Sequence, residues 1–299
     1  MDHRAALAAI PPDRKSILHA RSDIRGLVHL AGHLGAIALT GTAIATGIPG
    51  WPLLLVPHGV LLVFLFTLTH ECTHKTPFRT GWLNEGIGHL TGTLIFLPFT
   101  WFRYFHLAHH KYTNDPLRDP ELTGGERPET WPALLLYLSG WDYWRGAAAT
   151  FWTMAFGTIS APYLPQRKHS AMRRDARWML AAYLLAALSL PITPILFWLW
   201  LLPLLIGQPV LRIYLLAEHG RCPPVANMLE NSRTTFTNRI VRTLAWNMPY
   251  HAEHHAAPNV PFHRLPDLHA DLAPHLKSTA PGYAAFARDY AGRMSAADN

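Results

Sequence analysis

The sequence predicts an all-α fold: a polytopic membrane protein with four transmembrane helices arranged as two hairpins, and a cytoplasmic helical cap. Three observations predict it. Residues 26–70 contain no Asp, Glu, Lys or Arg, and neither do residues 178–211. Turn-forming residues interrupt both runs: Gly47, Pro49, Gly50 and Pro52 in the first, Pro191 and Pro194 in the second. All 26 Lys and Arg lie outside them.

Each run exceeds the roughly 20 residues that one span needs. The Gly and Pro residues therefore read as hairpin turns, giving spans at 27–47, 52–71, 178–192 and 195–212, the last two at the short end of the range. Arg177 and Arg212 flank the second run and are long enough to snorkel. The cations fall as five in 1–26, twelve in 75–177 and nine in 212–299. Positively charged loops stay on the cytoplasmic side, so both termini, the long middle segment and residues 213–299 are expected there. Residues 86–102 and 146–166 are also uncharged. They read as re-entrant or interfacial helices, with tryptophans at headgroup depth. The whole of 1–299 reads as one domain.

Composition excludes other classes. Charged residues are 15% of the chain, against about 25% in soluble domains. A net charge of +7 would suit nucleic acid only if the cations clustered on a recognisable binding module; none is visible, so no nucleic-acid partner is expected. Cys72 and Cys222 offer no disulfide framework or zinc-type spacing, and Cys72 reads as a small buried filler. Residues 1–25 are polar, without the short apolar core of a signal peptide.

The 19 histidines carry the chemistry. Three clusters stand out: His70 and His74 in HECTH; His106, His109 and His110 in HLAHH; His251, His254 and His255 in HAEHH. Spacings of three and four put side chains on one helix face, so each cluster can converge on a point. With the topology above, all three fall on the cytoplasmic side. His219, a few residues beyond the fourth span, falls at the same depth. A zinc site takes three or four protein ligands. Nine histidines exceed one such site and suit two metals. Imidazole suits iron, copper, nickel and zinc alike, so ligand type alone leaves the metal open.

The three boxes resemble the membrane fatty acid desaturase superfamily, whose signature is HxxxH, HxxHH and HxxHH. The likeness extends to the stretch from His70 to Glu121 and to NMPYHAEHHAAPNVPFHRLPDLH from Asn247 to His269, covering roughly 70–270. It implies a cap carrying two iron ions, held by His70, His74, His106, His109, His110, His251, His254 and His255, with His219 as the family's additional histidine. It also marks Asn247, four residues before His251, as a ligand acting through water; the alternative for Asn247 is a cap or turn residue. The first box has three intervening residues, and the third begins with His rather than Gln. There is no His-Pro-Gly-Gly haem motif. These departures disfavour the acyl-CoA Δ9 and front-end subclasses.

The resemblance implies an O2-dependent oxidoreductase that introduces a double bond into a fatty acyl or lipid-linked hydrocarbon chain. Removing hydrogen from an unactivated carbon is beyond any side chain, so metal and O2 supply it. Electrons come from an external ferredoxin-like or cytochrome-type donor. A bacterial inner membrane is the expected location, with the endoplasmic reticulum as the alternative. The rival functions are a hydroxylase or ketolase of a lipid, carotenoid or aliphatic substrate, and, outside enzymes, a metal transporter.

Glu71, Glu253, Asp115, Asp119 and Glu218 are candidates to orient the imidazoles, although each alone reads more simply as a solvated carboxylate. Trp101, Phe102, Tyr104 and Phe105 could line a substrate tunnel, with an interfacial aromatic belt as the simpler reading. His29, His33 and His58 read as buried hydrogen-bonding residues in the membrane half opposite the boxes.

Overall fold

A computed structural model describes residues 1–125 and 127–294. The chain is mostly helical; among the described residues the sheet is one short parallel pair, Thr234–Thr235 with Thr279–Ala280, which ties the C-terminal region to the segment before the third box. Among the described residues, three helices are long and apolar enough to cross a membrane: Pro12–Ala45, Trp51–His74 and Phe197–His219.

The first two form the predicted hairpin. Gly47 and Gly50 take φ of +65° and +79° at its tip, a region closed to most residues with a Cβ. The first helix begins earlier than the charge pattern suggested. Ser22 accepts the Arg25 N–H and caps a regular helix over Asp23–Ala45. The second bends at Phe64, between Trp51–Val63 and Leu65–His74.

The second hairpin departs from expectation at both ends. The helix covering the predicted third span is His169–Ser189, whose first half carries Arg173, Arg174, Asp175 and Arg177. The last helix runs through Arg212 and Glu218 to His219 rather than stopping at 212. Charge reports where a helix leaves the apolar layer, whereas backbone hydrogen bonding sets where it ends. Nor is 86–102 one element. It comprises the end of Gly81–Leu94 and the start of Phe99–Tyr112, folded back at Phe96 (φ +60°) and Pro98. Likewise 146–166 is the end of Trp141–Ala155 followed by irregular chain and a short 3-10 turn.

The Trp51–Val63 helix crosses the last helix at backbone contact. A Cβ added to Gly59 would lie 2.2 Å from the Pro203 carbonyl oxygen, and one on Gly207 would lie 2.5 Å from that of Gly59. Small residues at a crossing allow such approach, which drives helix association in lipid. Leu62, Val63, Phe64, Leu65, Leu204 and Leu211 form the core beside it. The outward faces carry Leu39, Leu53, Leu188 and Ile192, all well exposed, as a lipid-facing surface requires.

His33 and His58 satisfy the buried hydrogen-bonding expectation, and His29 also bonds to the backbone. His58 bonds Thr40 Oγ1 (2.7 Å) and the Leu199 carbonyl (2.9 Å). His33 bonds the Leu61 carbonyl (2.9 Å) and accepts from Trp246 Nε1 (3.3 Å), and His29 bonds the Thr243 carbonyl (2.7 Å). Trp246 belongs to the segment leading into the third box. The N-terminal half of this helix thus packs on the same side as the boxes, and the expectation of opposite halves is corrected for His29 and His33.

Candidate metal centre

The helix Leu65–His74 presents His70 and His74 at its last turn, one turn apart on one face. Phe99–Tyr112 presents His106, His109 and His110, and the short helix His251–Ala256 presents its three box histidines together. His219 closes the last long helix. Two glycines set the register between the first two boxes. A Cβ on Gly88 would fall 2.2 Å from the Phe99 ring, and one on Gly92 would fall 2.5 Å from the Leu97 carbonyl. The corner that turns Phe99–Tyr112 back toward His70 therefore needs both.

The structure gathers all nine histidines into two adjoining buried groups. One holds His70, His74, His106, His110 and His254; the other holds His109, His219, His251 and His255. Within each group, the candidate ligand atoms lie within 4.8 Å of one another. The His110 and His255 rings stack across the boundary, with centroids 4.0 Å apart.

The partners of the outer ring nitrogens show what the inner ones can do. His109 Nδ1 donates to the Asp119 carboxylate (2.9 Å), and His219 Nδ1 to the Asn231 carbonyl (3.2 Å). A neutral imidazole carries one N–H, so both Nε2 atoms present lone pairs. Those two atoms are 3.1 Å apart, and His251 Nε2 is 2.9 Å from His219 Nε2. In the other group, His106 Nε2 lies 2.9 Å from His74 Nε2 and 2.8 Å from His110 Nε2. Where both atoms of such a pair carry lone pairs they repel, and a shared cation removes the repulsion. With metal–imidazole bonds of roughly 2.0–2.1 Å, two adjacent ligands would sit about 2.9 Å apart. The buried Nε2 atoms of His70, His254 and His255 also have no hydrogen-bond partner among the described residues, a costly arrangement unless something binds them. The residues fit a pair of metal ions.

Electrostatics favours the ligand form. Burial, reinforced by neighbouring histidines, holds His106, His110, His251, His254 and His255 well below the ordinary imidazole pKa, so they are neutral, as metal binding requires. His109 is the exception. Burial opposes its charge, but Glu121 and Asp119 outweigh burial and raise its pKa.

The sequence that builds this geometry has counterparts in known proteins. The sequence profile of the family described as "Fatty acid desaturase" matches residues 45–287. The chain belongs to the fatty acid desaturase family. It is 34% identical over 76 residues to the sn-1 acyl-lipid omega-3 desaturase (ferredoxin) of Nostoc sp., covering 24% of this chain and 21% of that protein. It is 31% identical over 115 residues to the sn-1 oleoyl-lipid 12-desaturase of Picosynechococcus sp., covering 38% and 31%. It is 29% identical over 109 residues to the Delta(12) fatty acid desaturase of Mortierella isabellina, covering 33% and 27%. These matches span less than a third of each relative.

Three of the five candidate carboxylates stand behind histidines of this desaturase fold. Asp119, fully buried, accepts from His109 and from the backbone N–H groups of Asn114 and Glu121. Glu218 lies 3.3 Å from His251 Nδ1, and Glu71 lies 3.6 Å from His254 Nδ1. Glu253 turns away instead, to His269 and Thr234, and Asp115 pairs with Arg118 near the surface. Thr113 Oγ1, 3.1 Å from His255 Nδ1, and the Asn231 carbonyl behind His219 were missed. A hydroxyl and a carbonyl brought in from elsewhere in the chain carry no motif. Asn247 sits in a turn at φ +59° with its amide donating to the Phe262 carbonyl (3.0 Å); among the described residues no hydrogen bond joins it to a box histidine.

Asp119 fixes the tautomer and direction of His109, the usual part of a ligand's outer partner. Asp119→Ala is expected to lower metal affinity in the four-histidine group by roughly 10- to 100-fold, with Asp119→Asn intermediate. Metal titration of the purified variants checks this; unchanged affinity in both would remove the role.

Both groups border one cavity of about 740 Å³. His70, His106, His109, His219 and His251 form its floor, and Phe66, Trp101, Phe102 and Phe105 line it. Trp101, Phe102 and Phe105 thus face this cavity. Tyr104 lies outside this lining and packs against the Phe151–Met179 cluster. The fold-back at Phe96 and Pro98 turns the box-two helix so that the side chains of Trp101, Phe102 and Phe105 face inward.

Proposed function

We propose that this protein is an O2-dependent di-iron desaturase that introduces a double bond into an acyl or lipid-linked chain lying in the cavity. The observation that carries the reading is the opening of both histidine groups onto one aromatic-walled cavity. His70, His74, His106, His110 and His254 would hold one iron, and His109, His219, His251 and His255 the other. Bound iron, with O2 and electrons, supplies the oxidising power that removes hydrogen from a methylene. The protein's own part is positional. Phe66, Phe102 and Phe105 hold a flexible chain beside the histidines and exclude water. Asp119, Glu218 and Glu71 keep the imidazoles aimed.

In this reading four segments span the membrane, the third in chain order being the apolar half of His169–Ser189. Both termini and the metal centre face the cytoplasm, and residues 1–299 act as one domain. The placement of every cation outside the apolar runs supports that orientation. The donor is an external ferredoxin-like or cytochrome-type protein; the ferredoxin in the name of the Nostoc relative supports the first.

The test is mass spectrometry of lipids from a host with and without the gene, beside metal analysis of the purified protein. A product lighter by two hydrogens and about two irons per chain are expected. A product heavier by one oxygen would replace desaturation with hydroxylation. Unchanged lipids with no bound iron would overturn the proposal.

A further inference from the structure

The sequence allowed Arg212 to snorkel outward, but it points inward and lines the cavity. Its guanidinium lies 4.8 Å above the Tyr143 ring and 5.9 Å from that of Tyr137. Its Nε is buried without a hydrogen-bond partner. The other charged groups in the lining are engaged. Asp142 pairs with Arg145 at 3.2 Å, Glu218 and Glu121 lie 3.3 and 3.6 Å from His251 and His109, and Arg127 donates to Asn114 at 2.7 Å. Arg212 has no carboxylate within ion-pair distance and donates no hydrogen bond among the described residues. Glu218, six residues along the same helix, lies beyond ion-pair range of it.

A partly buried guanidinium with no anion at ion-pair distance is costly, and the aromatic faces offset only part of that cost. Its fork matches a carboxylate or phosphate bidentately. The two rings hold the fork in place before any ligand arrives. Arg212 precedes His219 by seven residues, about 10 Å along one helix. An oxyanion at Arg212 would thus lie a fixed stretch of chain from the histidines. Nearby, Trp131, Leu135 and Trp141 are exposed on the helices that carry Tyr137 and Tyr143. Tryptophan favours headgroup depth, where the oxyanion of an amphipathic lipid resides.

We propose that Arg212 anchors the oxyanion of an amphipathic substrate, setting which carbons lie beside the metal centre and disfavouring uncharged hydrocarbons. This rests on the reading of the cavity as the substrate site. The shared chemistry is a carboxylate or phosphate at the end of a long apolar chain, and a free fatty acid or a phospholipid could supply it.

The test is binding rather than turnover. Metal-loaded protein in phosphatidylcholine nanodiscs is titrated with oleate, oleoyl lysophosphatidate and methyl oleate, by competition against a fluorescent fatty acid. Wild type is expected to bind one or both anionic probes at least about tenfold tighter than methyl oleate, in line with a charge-assisted hydrogen bond. Whichever anion leads identifies carboxylate or phosphate. Arg212→Gln should close the gap while leaving methyl oleate binding and metal content intact, and Arg212→Lys should keep part of it. Equal affinity for all three probes in wild type would overturn the proposal, even if Arg212→Gln fails to fold. So would a tenfold gap that survives in Arg212→Gln. Metal content is measured in parallel. Absent iron would count against the di-iron reading, and the ratio of anionic to ester affinity would still judge Arg212.

Discussion

His219→Ala is expected to cost the four-histidine group its metal, bring bound iron from about two to about one per chain, and lower turnover by about a thousandfold or more, as loss of one member of a unit-acting site does. His109, His219 and His251 meet through their Nε2 atoms at 3.1 and 2.9 Å, with His219 as the common member. Removing it leaves three imidazoles around a void. His254→Ala offers the contrast: four histidines remain in its group, so metal should be retained more strongly there than in His219→Ala. Metal analysis and single-turnover assays on both variants decide the matter. Full iron content in His219→Ala would show that His219 is not a ligand.

Gly207→Leu is expected to destabilise the membrane core by about 3 kcal/mol or more, because overpacking at a backbone contact forces the helices apart. A single added Cβ already lies 2.5 Å from the Gly59 carbonyl oxygen, so Gly207→Ala should destabilise as well. Gly35 provides the control. It also lies in a membrane helix, but a Cβ there meets nothing within 4 Å, and Gly35→Leu should leave stability nearly unchanged. Thermal unfolding followed by fluorescence-detected size exclusion compares the three. Gly207→Leu melting with wild type would refute the close crossing. Displacing the last helix also moves Arg212 and His219, so activity should fall with stability.

Much of the candidate centre was legible in the sequence. Histidine spacings of three and four pick out one helix face whatever surrounds the helix, and all eight box histidines met where that rule predicts. His219 has no such spacing and was reached through resemblance. Among the carboxylates, sequence proximity proposed five and the fold placed three behind histidines. Glu253, flanked by Ala252 and His254, faces His269 instead because it lies on the other side of its short helix.

The sequence by itself determined the helical membrane character, the first hairpin and the eight paired or tripled histidines. Each is a local property: charge-free length, turn chemistry, or spacing along one helix. Tertiary structure alone decided the five-and-four division of the histidines, the inward turn of Trp101, Phe102 and Phe105, and the inward direction of Arg212. Those features depend on how helices far apart in the chain cross, and the crossings are set by close contacts such as the backbone of Gly59 with that of Gly207. No periodicity records a contact between residues 148 positions apart in the chain, so the shape of the cavity emerges only when the helices pack.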